Sequence, residues 1–313
     1  MAPDQLSGVA SGVLLEIDVL SPGGGTTLSR RFQGDAGWTI DATELGCHVR
    51  ANGAMPTGSV AIVAIENPAD AAICRIPLQE ATVMVIPSGV DLAAAVRPGL
   101  RYVAAVVPLA CWLDVAAAVT GRDPTPPLRS MTAQLPPGPG ARAANATETL
   151  ITRITAEAGH QGAFPAGLSD YLATVVDTIE QQADSRTTPT LPLSRRVRQA
   201  WAAHDFVTAH LADAITVPQL CLEVGASRRQ LEYALREVFG LSPHGLIERA
   251  RLNACRRALQ GARAQGRSVT QVAMDLGVTH LGRFAAQYRL LFGERPSETY
   301  RGAGTRQAGG VPF

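Results

Sequence analysis

The order of apolar and polar positions divides the chain into a β-rich N-terminal part and a helical C-terminal part. Residues 11–108 contain short runs rich in Val and Ile that are separated by Pro, Gly, Asn or Asp, a pattern typical of β-strands. Regular short strands of this kind favour a small barrel or a sandwich. A turn is predicted at 87–89, between two of the strands. The predicted strands are 13–20, 59–66, 71–78, 81–87 and 101–108.

Helical periodicity replaces this pattern after residue 108. Residues 110–119 predict a short helix, and the Pro- and Gly-rich stretch 121–143 predicts a loop. Two helices are expected within 144–182, and Ser169 can cap the second of them. Its apolar stripe, which must pack against the β-rich part or against another subunit, consists of Leu172, Val175, Val176 and Ile179 at i, i+3, i+4 and i+7.

A polar segment with two prolines, residues 184–193, predicts a linker to a helical domain at 194–301, with a flexible tail at 302–313. The helical domain contains the motif Phe-Gly-x-x-Pro twice, at 239–243 and 292–296. Matched punctuation at a fixed period indicates one structural unit used twice.

Each copy of this unit has a short helix that ends near a Gly, then a Ser or Thr, then a longer helix. This order predicts helix-turn-helix units at 217–238 and 269–291, joined by a long helix at 243–261. Ser227 and Thr279 are the expected caps of the second helix in each unit.

On these residues the domain at 194–301 resembles the DNA-binding domain of AraC/XylS-type transcription regulators. The matching segments are EVGASRRQLEYALREVFGLSP, RARLNACRRAL and VTQVAMDLGVTHLGRFAAQYRLLFGERPSETYR. The chain has Val278 after Gly277 where the family usually has Phe, so we expect weaker packing there. Gly282 inside the second recognition helix should cost about 1 kcal/mol relative to Ala.

The resemblance also implies an N-terminal cupin-like barrel that senses an effector, with helices for dimerisation. The expected fold class is therefore α+β multidomain. A sensor domain at 1–183, with a β-rich cupin-like barrel and flanking helices, precedes an all-α domain in which a long helix joins two helix-turn-helix units.

Charge separates the same two parts. Residues 194–301 carry 16 arginines and 9 acidic residues, a net charge of +7, whereas residues 1–193 carry 11 arginines and 18 acidic residues, a net charge of −7. Every basic residue is an arginine, which a GC-rich genome would also produce. Guanidinium groups suit bidentate contacts to phosphate and guanine, so the helical domain is expected to bind a polyanion.

A recognition helix places its outward face against base edges in the major groove. The first unit offers Arg228, Arg229, Gln230, Glu232, Tyr233 and Arg236. The second offers His280, Gly282, Arg283, Ala286 and Gln287. The resemblance places Arg229, Glu232 and Tyr233 nearest the bases, and Arg283 is the strongest candidate in the second unit. The joining helix is long enough to hold the recognition helices roughly 34 Å apart, one turn of B-DNA.

Each of these assignments has a structural alternative. Glu232 could instead pair with Arg228 or Arg236, and Tyr233 could pack under a neighbouring helix. Arg283 could contact phosphate, which positions a protein without specifying sequence. Gly282 could be a tolerated exposed glycine.

No other chemistry is indicated. The five cysteines, at 47, 74, 111, 221 and 255, lack metal-ligand spacing, and His48 beside Cys47 is expected to be structural. We therefore expect no catalytic residues, no metal and no cofactor. The start of the chain lacks a basic leader region and the apolar runs are interrupted, so a cytoplasmic protein without a membrane segment is expected.

The leading hypothesis is a transcription regulator, an activator that responds to a small-molecule effector. Its expected partners are double-stranded DNA, RNA polymerase and a second copy of the chain. Two alternatives stay open: a regulator whose N-terminal domain binds a protein, and an enzyme fused to a DNA-binding domain. An enclosed pocket would favour a sensor, and an exposed apolar patch would favour a protein partner.

Overall fold

The computed structural model describes residues 13, 15–22, 27–34, 36–78, 82–127, 131–134, 166–185 and 194–302. The described residues divide between two compact units, one drawn from 1–17 and 24–192 and the other from 18–23 and 193–313. The helix expected ahead of residue 166, most of the linker and the tail lie outside the described residues.

The first unit is built on two antiparallel sheets. Five strands follow the order β1-β4-β9-β6-β7, and six follow the order β11-β8-β5-β10-β3-β2. In the larger sheet β5 lies between β8 and β10, with Val63 opposite both Met84 and Ala104. The strands are β1 Leu15–Val19, β2 Leu28–Gln33, β3 Thr39–Glu44, β4 Val49–Ala54, β5 Ser59–Asn67, β6 Ala72–Ile73, β7 Ile76–Pro77, β8 Thr82–Pro87, β9 Asp91–Val96, β10 Arg101–Pro108 and β11 Met131–Gln134.

The two sheets bury their facing sides in one apolar cluster. Val49 and Ala94 of the smaller sheet share this cluster with Met84, Ile86 and Ala104 of the larger one. The described strands remain in two separate sheets and do not close into one barrel. The prediction of a β-rich domain is therefore confirmed, whereas the cupin-like barrel is not.

Strands that are buried on both faces were predictable, because they are continuous apolar runs; all six residues of β8 are buried. The expectation of one strand over 71–78 is wrong. Cys74 and Arg75 have φ of 51° and 63°, so the chain turns back between β6 and β7. The predicted loop at 121–143 also needs correction, since β11 lies within it and pairs with β8.

Two helices cover the other face of the six-stranded sheet: α1 Leu109–Thr120 and α2 Ala166–Ser185. The stripe of α2, with Leu172, Val175 and Val176, is buried in one cluster with strand residues and Trp112. The stripe therefore packs on the sheet of its own chain. Because α2 begins at Ala166, Ser169 lies inside the helix and is not its N-cap.

Residues 194–302, the main part of the second compact unit, form helices joined by turns, and both predicted helix-turn-helix units are present within one residue of their expected bounds. The long joining helix is α6. The helices are α3 Arg195–Ala209, α4 Val217–Glu223, α5 Arg228–Phe239, α6 Pro243–Ala262, α7 Val269–Asp275, α8 Leu281–Phe292 and α9 Pro296–Gly302.

The repeated Phe-Gly-x-x-Pro motif ends one helix and begins the next. Gly240 and Gly293 cap α5 and α8 with φ of 64° and 76°, a left-handed conformation that glycine adopts without steric cost. Pro243 and Pro296 then open α6 and α9, where a missing N–H is harmless. Ser242 accepts a hydrogen bond from the Gly245 N–H at 3.1 Å.

Candidate DNA-binding surface

The first recognition helix, α5, begins with a reciprocal cap. The Ser227 hydroxyl accepts from the Gln230 N–H at 3.3 Å, and the Gln230 side-chain oxygen accepts from the Ser227 N–H at 2.9 Å. Leu231, Leu235 and Phe239 are fully buried, which turns the polar residues of the helix outward. The structure therefore gives Gln230, a predicted DNA contact, a capping role.

The other predicted residues of α5 lie at the surface. Arg228, Arg229 and Arg236 are exposed, Glu232 is partly exposed, and Tyr233 is 52% exposed. That exposure argues against Tyr233 packing under a neighbouring helix.

These side chains interact with one another in the absence of DNA. The Arg229 Nη2 lies 3.4 Å from the Tyr233 hydroxyl, and its guanidinium lies 5.6 Å from the centre of the Tyr233 ring. Arg236 pairs with Glu232 at 3.3 Å, as the structural alternative for Glu232 expected. Exposed pairs of this kind are worth about 0–1 kcal/mol, so contacts to DNA can replace them.

The second recognition helix, α8, begins at Leu281, and His280 occupies the N-cap position without a capping hydrogen bond from its side chain. The expected Thr279 cap is therefore wrong. Phe284, Tyr288 and Leu291 are buried, as their spacing predicted.

Most of the predicted residues on the opposite face of α8 are exposed: His280, Gly282, Arg283 and Ala286, with Gln287 partly buried. A Cβ at Gly282 would meet no atom within 4 Å, so packing in the free protein does not require glycine there. The Arg283 Nη2 lies 3.4 Å from a carboxylate oxygen of Glu248 on α6. That ion pair orients the arginine from the neighbouring helix.

The first helix-turn-helix unit is supported by a buried aromatic cluster. The rings of Trp201 and Phe239 meet edge to face with their centres 5.0 Å apart, and the His204 ring lies 5.7 Å from Phe239. Trp201 and His204 belong to α3, so this helix is the platform for α5.

A series of hydrogen-bonded polar side chains supports the second helix-turn-helix unit instead. Tyr288 donates to Thr299 at 2.7 Å, and Thr299 donates to Glu294 at 2.6 Å. Glu294 pairs with Arg256 at 2.9 Å, and the Arg256 guanidinium stacks 4.5 Å from the Phe292 ring centre. Burial raises the pKa of Tyr288 to about 12, so its hydroxyl stays protonated as a donor.

The two turns are held in different ways. The carbonyl of Gly225 accepts from Arg195 and Gln199, both at 3.2 Å, whereas a Cβ added to Gly225 would meet no atom within 4 Å. At Gly277 an added Cβ would lie 2.8 Å from the Leu211 carbonyl oxygen and 3.0 Å from Arg251 Nη2.

Arg251, on α6, lies beside that second turn and binds the segment that follows α3. Its Nε donates to the Leu211 carbonyl at 3.2 Å, and its Nη2 donates to the Asp213 carbonyl at 2.6 Å. In the sequence, Arg251 stands out only as part of a segment that resembles the AraC/XylS-type domain. Its structural role has no periodic signal in the sequence, because its partners are backbone carbonyls 38–40 residues away.

The joining helix α6 also holds the short segment 18–23. The Asn253 side chain accepts from the Val19 N–H at 2.8 Å and donates to its carbonyl at 2.9 Å. Arg249 donates to the Leu20 carbonyl at 3.1 Å, and burial lowers the pKa of its guanidinium. Arg249 is thus a structural contact, which sequence alone did not indicate.

Two observations concern metal ligands and titratable groups in the part of the chain that the structure describes. No group of three His, Cys, Asp or Glu residues could hold a metal ion there. Burial lowers the pKa of His48 to about 4 and raises the pKa of the Cys47 thiol, so both groups are neutral near pH 7. Within the same residues no helix is long and apolar enough to cross a membrane.

Two helix-turn-helix units with exposed arginines on their second helices form the candidate DNA-binding surface, and comparison with known proteins matches a helix-turn-helix family to these residues. The "Helix-turn-helix domain" family matches residues 220–302. The XylDLEGF operon transcriptional activator of Pseudomonas putida is 29% identical over 157 residues, 49% of this chain and 47% of the activator. The probable thc operon regulatory protein of Rhodococcus erythropolis is 34% identical over 99 residues, 32% of this chain and 30% of that protein.

A probable AraC family transcriptional regulator from Rhodopseudomonas palustris, known as a crystal structure, is 32% identical, with a TM-score of 0.32; the match covers 34% of this chain and 96% of that one. Residues 220–302 therefore match a helix-turn-helix domain family, and the chain is similar over part of its length to transcription regulators. The chain spans about half the length, or less, of these curated relatives.

Proposed function

We propose that this protein is a sequence-specific DNA-binding transcription regulator, an activator that responds to a small-molecule effector. The observation that carries the proposal is the pair of helix-turn-helix units, each presenting an exposed arginine, Arg229 or Arg283, on its second helix. The net charge of +7 on residues 194–301 gives this domain the attraction to phosphate that DNA binding needs.

We assign the reading of bases to both helix-turn-helix units. In the first, Arg229 forks onto a guanine, with Glu232 and Tyr233 beside it, and Arg228 and Arg236 contact nearby bases or phosphates. In the second, Arg283 makes the principal contact, and His280, Gly282, Ala286 and Gln287 form the surrounding surface. We expect the second unit to specify fewer bases, since it has fewer long polar side chains.

Activation is supported by the similarity to the Pseudomonas relative, which is a transcriptional activator. An activator of this kind would contact RNA polymerase in the cytoplasm and bind as a homodimer. The N-terminal compact unit, with its two sheets, would be the sensor, taking the place of the cupin-like barrel expected from the resemblance. A cavity between its two sheets favours a small molecule over a protein partner for that unit.

The proposal is tested by selecting bound sequences from random duplex DNA with the full-length protein at one stated salt concentration. We expect enrichment of two half-elements about one helical turn apart. A repeat of that whole site would support the dimer. A single short element would restrict base reading to one unit, and no enrichment with or without candidate effectors would refute sequence-specific binding.

A further inference from the structure

The cavity between the two sheets of the N-terminal compact unit has a volume of about 360 Å³. It is bounded by inner-face side chains of both sheets, most of them aliphatic, such as Leu15, Val49 and Ala94 on one side and Val63 and Ala104 on the other. Protein interiors are normally packed to the density of organic crystals, with few voids larger than a water molecule. This cavity is partly open to solvent, since the Arg31 side chain on its lining is 38% exposed, and its volume is within the range of small-molecule sites.

The polar groups of the cavity are segregated on one wall. Within the six-stranded sheet Ser29 lies opposite Thr43 and Arg31 lies opposite Asp41, and Thr43 also lies opposite Tyr102 on the next strand. All five residues line the cavity. The cavity therefore has one hydrogen-bonding end, on β2, β3 and β10, and aliphatic walls elsewhere.

The charges at this end compensate each other. Arg31 Nε donates to Asp41 Oδ1 at 2.8 Å, and Arg31 Nη2 donates to Asp41 Oδ2 at 3.3 Å. The Asp41 side chain is 2% exposed, and these two residues are the charged ones among those lining the cavity. A ligand with a net charge would thus enter an apolar cavity without a free counter-charge, which is costly.

The remaining polar groups are hydroxyls. Thr43 Oγ1 donates to Ser29 Oγ at 3.2 Å. Burial raises the pKa of the Tyr102 phenol, although its hydrogen bond with Thr43 opposes that shift, so the group stays neutral. Hydroxyls can donate to a ligand and accept from it, whereas a lone arginine would select an anion.

We propose that this cavity is the effector site and that its ligand is an uncharged, mostly apolar molecule with one hydrogen-bonding end. The inference rests on the proposed effector response but concerns ligand chemistry, which DNA binding does not determine. The hydrogen-bonding end of the ligand lies against Arg31, Asp41 and the hydroxyls, and its apolar body fills the space toward Ala94.

A structural explanation competes with this one. β2 is an edge strand, and an inward-pointing charge on an edge strand guards against pairing with other chains. That role requires the Arg31–Asp41 pair but no cavity beside it, so it predicts that nothing binds.

The test is calorimetric titration of the full-length protein, without DNA, using three probes that share the naphthalene ring: 2-naphthol, 2-naphthoate and naphthalene. We expect 2-naphthol to bind at least about tenfold more tightly than either of the others. Asp41→Asn removes the negative charge from the lining of the cavity and should reverse the order of 2-naphthol and 2-naphthoate. Asp91→Asn, at an exposed aspartate outside the cavity, is the matched control and should change neither affinity.

Ala94→Phe fills the cavity from the wall opposite the polar end and should abolish binding of 2-naphthol. This variant and the comparison of the three probes on the unmodified chain keep the test decisive if Asp41→Asn does not fold. Absence of binding by all three probes, equal binding of 2-naphthol and 2-naphthoate, or unchanged binding in Ala94→Phe would each overturn the proposal. Since DNA is absent, these outcomes are independent of whether the DNA selection succeeds.

Discussion

Replacing Gly277 by Ala should destabilise the second helix-turn-helix unit far more than the equivalent change in the first. Gly225 and Gly277 occupy the same place in the two turns, with φ of 59° and 73°. An alanine at either position costs about 1–2 kcal/mol for the left-handed backbone. At Gly277 alone, the new Cβ would also lie 2.8 Å from the Leu211 carbonyl and 3.1 Å from the Ala212 carbonyl.

Backbone carbonyls cannot rotate away as the end of a side chain can, so Gly277→Ala should carry an additional overpacking cost of about 1–3 kcal/mol. The measurement is hydrogen exchange of the full-length protein, followed by mass spectrometry of peptides from each unit. We expect Gly225→Ala to lower protection in α4 and α5 modestly. Gly277→Ala should lower protection in α7 and α8 by a further factor of roughly five or more, since 1.4 kcal/mol is a factor of ten. Equal losses in the two variants would refute the reasoning.

Three further substitutions test one DNA contact and two structural roles. Arg229→Ala should cost about 1–3 kcal/mol of binding and relax specificity at one base position, measured by fluorescence anisotropy; a uniform loss on all sequences would contradict the base contact. Gln230→Ala should cost about 1 kcal/mol of helix stability through the lost cap and leave base preference unchanged in the same assay. His48→Leu should remove part of the acid sensitivity of folding. The pKa of His48 in the folded protein is about 4, below its ordinary 6.5, so the unfolded chain binds a proton first as the pH falls. The free energy of unfolding should therefore decrease as the pH is lowered from about 6.5 to 4. Urea titrations of the unmodified protein should show this decrease, and those of the variant should show a smaller one.

The helical half of the fold was largely predictable because its signals are local. Ser227, Gly240 and Ser242 set helix ends through hydrogen bonds or conformations within a few residues, and the apolar faces follow from a period of 3.6. Thr279 failed as a cap because the helix begins one residue later, at a boundary that composition does not specify.

The β-rich half was less predictable because strand pairing is not local. β2, with the sequence LSRRFQ, has no apolar run, and it becomes a strand by pairing with β3. For the same reason the charge pair of Arg31 and Asp41 emerges only from the register of two strands. The candidate DNA contacts could be named from helical spacing. The pairings of Arg229 with Tyr233 and of Arg283 with Glu248 were seen only in the three-dimensional structure.

The most direct test of the central claim, that both units read bases, combines the selected DNA site with one substitution in each recognition helix. Affinities of the unmodified protein, Arg229→Ala and Arg283→Ala are measured on the intact site and on sites with either half-element scrambled. We expect each variant to become insensitive to scrambling of one half-element and to keep its sensitivity to the other. If Arg283→Ala responds to both scrambled sites as the unmodified protein does, the second unit does not read sequence through Arg283, and the proposed division of base reading between two units is wrong.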